Sequence, residues 1–402
     1  MRRRTIAALT FASAALVACT SLKIASISGD DAGQGEAPPG EHEGDDDGGA
    51  RGSDADTPKH DAGPNAPFGR PCTEAECPPE TVADGLHGPV ALAVNANHVF
   101  WIEVGTSIPN AHGYGQLIRL PKGVSCSDRS CFEVVHPAII PGELEGRYIY
   151  DTHLALGPLD LCYTQSFNAS PAHEIGCFSL ETLKRRSLAN STGAAVALWV
   201  GATEARWAIG AMGDRKGEIR GRPLDGGAVA TIVPDLADPT SVTSAGSDLF
   251  WTERAVPNAP TGRVSVLRQD GGISVLADNR MGPIAAKVYG PHLYWLEYAS
   301  RLVMRVRIDG TGAPEQIATT DPHPFALVVD ASGVYWASAG AAETGSEGSV
   351  AHAPHAPGGP TTTMMSSVRN IYDLAADDEH IYVSAIGARL GQGKILRMRK
   401  VP

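Results

Sequence analysis

Six cysteines, spaced as three pairs, are the residues whose chemistry is easiest to recognise. The pairs are Cys72 and Cys77, Cys126 and Cys131, and Cys162 and Cys177. Paired cysteines either bind a metal such as zinc or form disulfides. Four residues separate the members of the first two pairs, which is long for zinc-binding cysteines. The spacing therefore favours disulfides and leaves a four-cysteine zinc site as the alternative.

Histidines and repeated glutamates are the other candidates for chemistry. The segment His352-Ala353-Pro354-His355 is the nearest approach to a metal-binding pair, but its proline forbids a regular helix, so we expect a solvent-exposed loop. Glu103, Glu253 and Glu297 each follow a tryptophan by two residues. Because catalytic carboxylates need not recur, we expect these three to brace loops or neighbouring repeats. No serine-nucleophile elbow, HExxH motif or phosphate-binding loop occurs, which predicts no catalytic, metal or cofactor residues.

A thirteen-residue pattern that recurs seven times must position these residues. The seven windows end at Trp101, Tyr163, Trp207, Trp251, Trp295, Trp336 and Val383. Each window contains an alternating apolar run, a turn and an aromatic run, which is typical of two antiparallel strands. A third strand led by glycine and a fourth strand follow. Four strands at a period near 44 residues predict an all-β, seven-bladed β-propeller.

The residues around the tryptophans also resemble a known family. Phe250-Trp251-Thr252-Glu253, Tyr294-Trp295-Leu296-Glu297 and the segment 305–310, RVRIDG, look like the YWTD-type repeats of low-density-lipoprotein receptors. The resemblance covers about residues 78–400, and the second, third and seventh windows depart from it. Because the receptor propellers have six blades, the resemblance implies six blades as the alternative to seven.

Closure of the ring requires a strand from outside the repeats. After the seventh window, only a third strand through Arg399 precedes the last residue, Pro402. Residues 80–84 match the fourth-strand segment at residues 274–278. Because an unpaired sheet edge is costly, we predict that residues 80–84 complete the seventh blade.

The repeat pattern narrows the cysteine pairing. Cys162 falls on the second strand and Cys177 on the third strand of one repeat. Facing residues of antiparallel strands lie within disulfide range, so we predict a Cys162–Cys177 disulfide. Local pairing is the simplest solution for the other four cysteines.

Two polar residues stand out at the third place of the windows. That place holds Ala91, His153, Ala197, Ser241, Ala285, Ala326 and Asp373. Propellers bind ligands mostly at the mouth of the central channel, where the innermost strands converge. His153 and Asp373 are therefore candidates for a ligand-binding or proton-transfer pair. The alternative is that they are polar groups that line the channel in contact with water.

The first residues predict export and a lipid anchor. The charged segment Met1–Arg4 precedes an apolar run, Thr5–Val17, that is too short to span a bilayer as a helix. The sequence Leu16-Val17-Ala18-Cys19 resembles the lipobox of bacterial lipoproteins, which implies that Cys19 becomes the lipidated N-terminus. Thr20, in place of aspartate, implies the outer membrane rather than retention at the inner membrane.

The chain thus divides into three predicted segments. Residues 1–18 are a signal peptide, residues 19–70 a lipid-anchored linker and residues 71–402 the propeller. The linker is rich in glycine, aspartate, glutamate and proline, so it cannot offset the entropy of ordering, and we expect a disordered tether. Its run Asp45-Asp46-Asp47 lacks EF-hand spacing and is expected to be a solvated spacer.

Charge and motif content limit the function. A net charge of −12 without clustered basic residues argues against a nucleic-acid partner. We predict a non-enzymatic cell-envelope lipoprotein without a cofactor, held to the membrane through Cys19. Its propeller is expected to be a binding or scaffolding platform for an unidentified protein or glycan. The alternatives are an extracytoplasmic propeller enzyme, a lyase or hydrolase, and a structural part of an envelope assembly.

Replacing Cys19 by serine tests the predicted anchor. Because the thiol receives the lipid, Cys19→Ser should leave the membrane or accumulate as an unprocessed precursor. Detergent phase partitioning followed by immunoblotting measures this, with Ser21→Ala as a matched control that keeps the thiol. A Cys19→Ser protein that stays in the detergent phase at its mature mass would contradict the anchor.

Overall fold

The computed structural model describes residues 73–400, except 108–112, 138–139, 142–148, 151, 168–172, 192, 212–213, 255, 257–258, 341–347 and 388–390. The predicted signal peptide, Cys19, the linker and Cys72 lie outside the described residues. No helix within the described part of the chain is long and apolar enough to cross a membrane.

The described residues form seven antiparallel sheets, here numbered as blades 1 to 7 along the chain. Blade 1 contains β2 (Pro89–Val94), β3 (His98–Ser107), β4 (Gly113–Pro121), β5 (Glu133–His136) and the short β6 (Ile140–Pro141), with a 3₁₀-helix at Arg129–Cys131. Blade 2 contains the short β7 (Ile149–Tyr150), β8 (Leu154–Leu156), β9 (Asp160–Phe167), β10 (His173–Ser179) and β11 (Arg185–Ser191).

The middle blades are the most regular. Blade 3 contains β12 (Ala195–Val200), β13 (Glu204–Ile209), β14 (Gly217–Pro223) and β15 (Ala230–Leu236). Blade 4 contains β16 (Pro239–Ala245), β17 (Asp248–Glu253), β18 (Gly262–Leu267) and β19 (Ile273–Arg280). Blade 5 contains β20 (Pro283–Tyr289), β21 (His292–Glu297), β22 (Leu302–Arg307) and β23 (Glu315–Thr319).

The last two blades complete the ring. Blade 6 contains β24 (Pro324–Asp330), β25 (Gly333–Ser338), β26 (Gly348–Ala353) and β27 (Thr362–Val368). Blade 7 contains β28 (Ile371–Ala376), β29 (His380–Ala385), β30 (Gly393–Arg399) and, from the other end of the propeller, β1 (Glu80–Leu86). The seven-bladed propeller is confirmed, and six blades is wrong.

The hydrophobic core lies between the blades. Tryptophans on the second strands are almost fully buried; they are Trp101, Trp207, Trp251, Trp295 and Trp336. Trp295 of blade 5, for example, packs in one cluster with Phe250 and Val266 of blade 4. The aromatic residue that ends most windows therefore helps to join one blade to the next, and its burial contributes apolar area to that interface.

The N-terminal strand closes the ring as predicted. Thr81 lies opposite Leu396 and Ala83 lies opposite Ile395 in the antiparallel pairing of β1 with β30. Val82 is buried in the cluster that joins blade 7 to blade 1. The observed strand extends two residues beyond the predicted segment at 80–84.

A disulfide-closed loop covers the outer edge of β1. The N–H of Cys126 donates to the Val82 carbonyl at 2.8 Å, and the Asp84 N–H donates to the Cys126 carbonyl at 3.1 Å. Cys126 and Cys131 form a disulfide with Cα atoms 6.2 Å apart. The four-cysteine zinc alternative is wrong, because these two cysteines bind each other. The loop also protects an edge that would otherwise be open to pairing.

The other cysteines agree with the repeat pattern as far as the structure describes them. Cys162 and Cys177 face each other on β9 and β10 and form a disulfide, with Cα atoms 4.0 Å apart. Cys77 is disulfide-bonded, and its predicted partner Cys72 lies outside the described residues.

The C-terminal end of the propeller is held by ion pairs. The Lys400 ammonium, which is buried, pairs with the Asp330 carboxylate of blade 6 and donates to the Asp377 carbonyl of blade 7. The Asp377 carboxylate in turn pairs with Lys122 of blade 1 at 2.5 Å. These charges link three blades beside the point where the ring closes.

Removal of the closing strand tests this architecture. A chain that begins at Gly85 loses the backbone hydrogen bonds of β1, each worth about 0.5–1.5 kcal/mol, and the burial of Val82, worth about 1.5–3 kcal/mol. Because domains are stable by only about 5–15 kcal/mol, its melting temperature should be clearly lower than that of a chain that begins at Pro71. Equal melting temperatures by circular dichroism would show that β1 does not close the ring.

Candidate functional site

Seven innermost strands surround the central channel. They are β2, β8, β12, β16, β20, β24 and β28, and each contacts the innermost strands of both neighbouring blades. His153 immediately precedes β8, and Asp373 lies on β28. The third-place residues therefore lie on or next to the innermost strands, which form the wall of the channel.

Bulges shape the wall at the third place. The pairing of the first and second strands shifts register near that place in six blades; the described residues of blade 2 keep their register. Ala91 and Ala285 adopt positive φ angles of 50° and 54° there, which is uncommon for residues other than glycine. At a bulge, one residue lies outside the regular hydrogen-bond ladder. The backbone groups around it can therefore bind a partner other than the paired strand.

Asp373 binds the neighbouring blade at such a bulge. Its Oδ2 accepts the N–H of Leu92 in blade 1 at 2.7 Å, and its Oδ1 accepts the N–H of Leu374 at 2.8 Å. Ser241 does the same in blade 4, where its Oγ accepts the N–H of Ala286 in blade 5 at 3.1 Å. A third-place polar side chain thus joins one innermost strand to the next, a role that the sequence did not indicate.

His153 and Lys287 act on Asp373 from other parts of the ring. Burial raises the pKa of the Asp373 carboxyl, while the two N–H groups it accepts and the positive charges of His153 and Lys287 oppose that rise. These residues belong to blades 2, 5 and 7, none of which are neighbours. Their charges can therefore meet only across the channel. The structure brings the predicted pair, His153 and Asp373, into one electrostatic site.

Lys287 is the member of this site that the sequence analysis missed. It occupies the fifth place of its window, where the other six blades have Ala93, Ala155, Trp199, Thr243, Val328 and Ala375. A single charged residue among seven equivalent places was the available signal. The Lys287 side chain lies on the innermost strand β20 and is exposed. Desolvation by the surrounding protein lowers the pKa of the Lys287 amine, and the negative charge of Asp373 opposes the shift.

The site offers a cation, a carboxyl group and an imidazole on or beside the innermost strands of the ring. Such a set can bind a polar ligand or move a proton, and shifted pKa values are concentrated at functional sites. Within the described ranges, no group of three His, Cys, Asp or Glu side chains is placed to hold a metal ion. The three side chains of the site can take part in hydrogen bonding, ion pairing and proton transfer.

The repeated glutamates brace loops, as predicted. Glu103 accepts two hydrogen bonds from Arg129, at 2.9 and 2.7 Å, and Glu297 accepts one from Arg280 at 2.5 Å. Glu253 accepts a backbone N–H from the segment that enters blade 4, at 3.0 Å. All three carboxylates are buried. The partners of Glu253 and Glu297 lie where one blade leads into the next, whereas Arg129 lies in the connection between β4 and β5 of blade 1.

The two neighbouring histidines do not form the expected solvent loop. His352 lies within a strand and is buried, with its Nε2 3.0 Å from the Ser332 carbonyl. His355 bonds the Tyr294 hydroxyl at 2.8 Å and stacks on Tyr289, with ring centroids 5.2 Å apart. The prediction was wrong because the strand extends through His352 and ends just before the proline, and His355 packs against the preceding blade, blade 5.

Comparisons with known proteins agree with the fold. No protein-family model and no curated protein sequence matches the chain. Virginiamycin B lyase from Staphylococcus aureus superposes with a TM-score of 0.54 at 15% identity, covering 78% of this chain and 95% of that one. A streptogramin B lyase gives 0.54 at 14% identity, covering 81% and 97%. A chain of the nidogen–laminin complex gives 0.43 at 19% identity, covering 55% and 88%. The similarity to the two lyases shows a shared β-propeller fold.

Substitution of Lys287 tests the electrostatics of the site. Lys287→Met removes an enclosed charge, so its melting temperature at neutral pH should exceed that of the wild type. The pKa of the amine is lower in the folded protein than its ordinary 10.5, so the unfolded chain holds that proton more tightly. The destabilisation is thus present below the folded pKa and fades as pH rises toward 10.5.

The difference in melting temperature should accordingly shrink between neutral and alkaline pH. Lys184→Met at an exposed turn is the matched control and should change little. A Lys287→Met protein that melts below the wild type at neutral pH would show that the ammonium is stabilised where it lies.

Proposed function

We propose that this chain is a lipid-anchored protein of the cell envelope whose propeller is a binding platform, with the central channel as its ligand site. The observation that carries the proposal is the placement of His153, Lys287 and Asp373 on or beside the innermost strands of three separate blades, around one channel. The remaining third-place residues are four alanines and one serine. Charged side chains in an otherwise small and weakly polar wall are what a specific ligand site requires.

The N-terminal segments support the envelope location. The lipobox at Leu16–Cys19 supports lipid attachment at Cys19, and Thr20 supports the outer membrane. A flexible linker over residues 19–70 would have a root-mean-square length of about 40 Å. Such a tether would hold the propeller close to the membrane surface, within reach of a protein or glycan partner.

The contacts of Asp373 favour binding over catalysis. Both of its carboxylate oxygens already accept backbone N–H groups, so the carboxylate is fixed in the wall of the channel. A side chain held in this way orients a ligand or a neighbouring charge more readily than it approaches a reacting atom.

A propeller lyase or hydrolase is the second candidate. The pKa of the Asp373 carboxyl is raised and that of the Lys287 amine is lowered, which is the pattern of an acid and a base brought toward neutral pH. The two lyases share only the fold with this chain. Because one fold supports many functions, that similarity does not favour lyase activity.

Native mass spectrometry separates these candidates. The mature lipid-anchored protein is purified from its own membranes in mild detergent, and bound molecules are identified by mass. The comparison is a variant with His153→Gln, Lys287→Met and Asp373→Asn, whose folding is checked by circular dichroism. We expect a bound molecule on the wild type that is absent from the variant.

The same purified protein is then incubated with an extract of the envelope. A binding protein should return its ligand with unchanged mass, whereas conversion of that ligand by the wild type but not by the variant would establish the enzyme instead. A wild type that carries nothing and captures nothing from the extract would contradict the channel as a ligand site.

A further inference from the structure

We propose that the ligand of the channel carries an anionic oxygen group, a carboxylate or a phosphate, and that the Lys287 ammonium is the group that binds it. This inference rests on the proposed function, because it identifies the chemistry of the ligand for that same site. It is carried by the placement of Lys287 and by the partners that the lysine lacks.

Lys287 lacks the direct partner that three other lysines of the propeller have. Lys122 pairs with a carboxylate at 2.5 Å, Lys394 pairs with another at 3.1 Å, and Lys400 is also ion-paired. In the part of the chain that the structure describes, the Lys287 ammonium makes no hydrogen bond and no ion pair. Its three N–H donors are therefore available to a ligand.

Asp373 does not satisfy this cation by contact. Its two oxygens accept the N–H groups of Leu92 and Leu374. Within the described residues Asp373 forms no ion pair with Lys287, so it acts on the ammonium through the field across the channel. Blade 6 lies between blades 5 and 7, so the strand of Lys287 and the strand of Asp373 are not neighbours. The fixed carboxylate thus leaves an ammonium that is attracted but not paired.

The enclosure of Lys287 determines which ligand would fit. A cation that is partly removed from bulk water is stabilised most by a negatively charged acceptor, since charge-assisted hydrogen bonds are short and strong. A cationic ligand would be repelled, and a neutral one would leave the charge without compensation. Because the chain as a whole carries a net charge of −12, an anion would be attracted here by this local cation and not by the overall field.

His153 places a second polar group on the other side of the ring. It belongs to blade 2, three blades away from Lys287, and its backbone N–H is held by Thr164 Oγ1 at 3.1 Å. A ligand whose anionic group binds Lys287 would therefore extend across the channel toward an imidazole. This geometry favours a small organic anion with a second polar group over a simple ion.

Calorimetric titration of the mature protein tests the inference. The probes are citrate, inorganic phosphate and, as a neutral control, glycerol. We expect saturable binding of citrate, of phosphate or of both, and none of glycerol. Lys287→Met should weaken the binding at least tenfold, Lys287→Arg should retain part of it, and Lys184→Met should leave it unchanged.

The two anions distinguish which anionic group the ligand carries, since a carboxylate site should prefer citrate and a phosphate site should prefer phosphate. Anion binding that persists in a folded Lys287→Met protein would overturn the inference, as would a wild type that binds neither anion. If the molecule found by native mass spectrometry is neutral or cationic, the inference fails while the proposed function stands. If no ligand of any charge binds, the proposed function fails as well.

Discussion

Pairing of the two ends of the propeller is the constraint on which the rest of the structure depends. Blade 7 has only three strands from the C-terminal end, and β1 supplies the fourth by pairing with β30. With that pairing, every blade packs on two neighbours and every innermost strand lies between two others. The Asp373 carboxylate then binds Leu92 across the same junction, so ring closure and the channel wall use a common contact. The channel exists as an enclosed space because the ring is closed.

Much of this architecture could be predicted because each repeat has the same buried positions. The aromatic residue at the end of the windows, such as Trp251 or Trp295, has to fill the space between blades, and that requirement is visible as a period in the sequence. The closing strand was found by its likeness to the fourth strand of another repeat. The Cys162–Cys177 disulfide followed from the antiparallel register.

Only two of the three charged or titratable residues of the site could be predicted from the sequence. His153 and Asp373 were found because they interrupt a place that is otherwise small, whereas Lys287 lies two places further along its strand. The bonding roles of Asp373 and Ser241 depend on bulges that shift the register, and a bulge is a backbone feature with little signal in side-chain type. The prediction for His352 was wrong because the proline two residues later indicates a loop, whereas the strand extends through the histidine.

The unpaired charge of Lys287 is the main reason to propose that the channel binds a ligand. An enclosed ammonium without a partner costs stability, and proteins retain such groups where activity or binding needs them. The direct measurement is the pKa of that amine, followed by NMR of lysine labelled at Cε. The account predicts a value below the ordinary 10.5 that rises when a saturating anionic ligand is added, because the anion stabilises the protonated amine. An ordinary pKa that does not change with any bound ligand would contradict it.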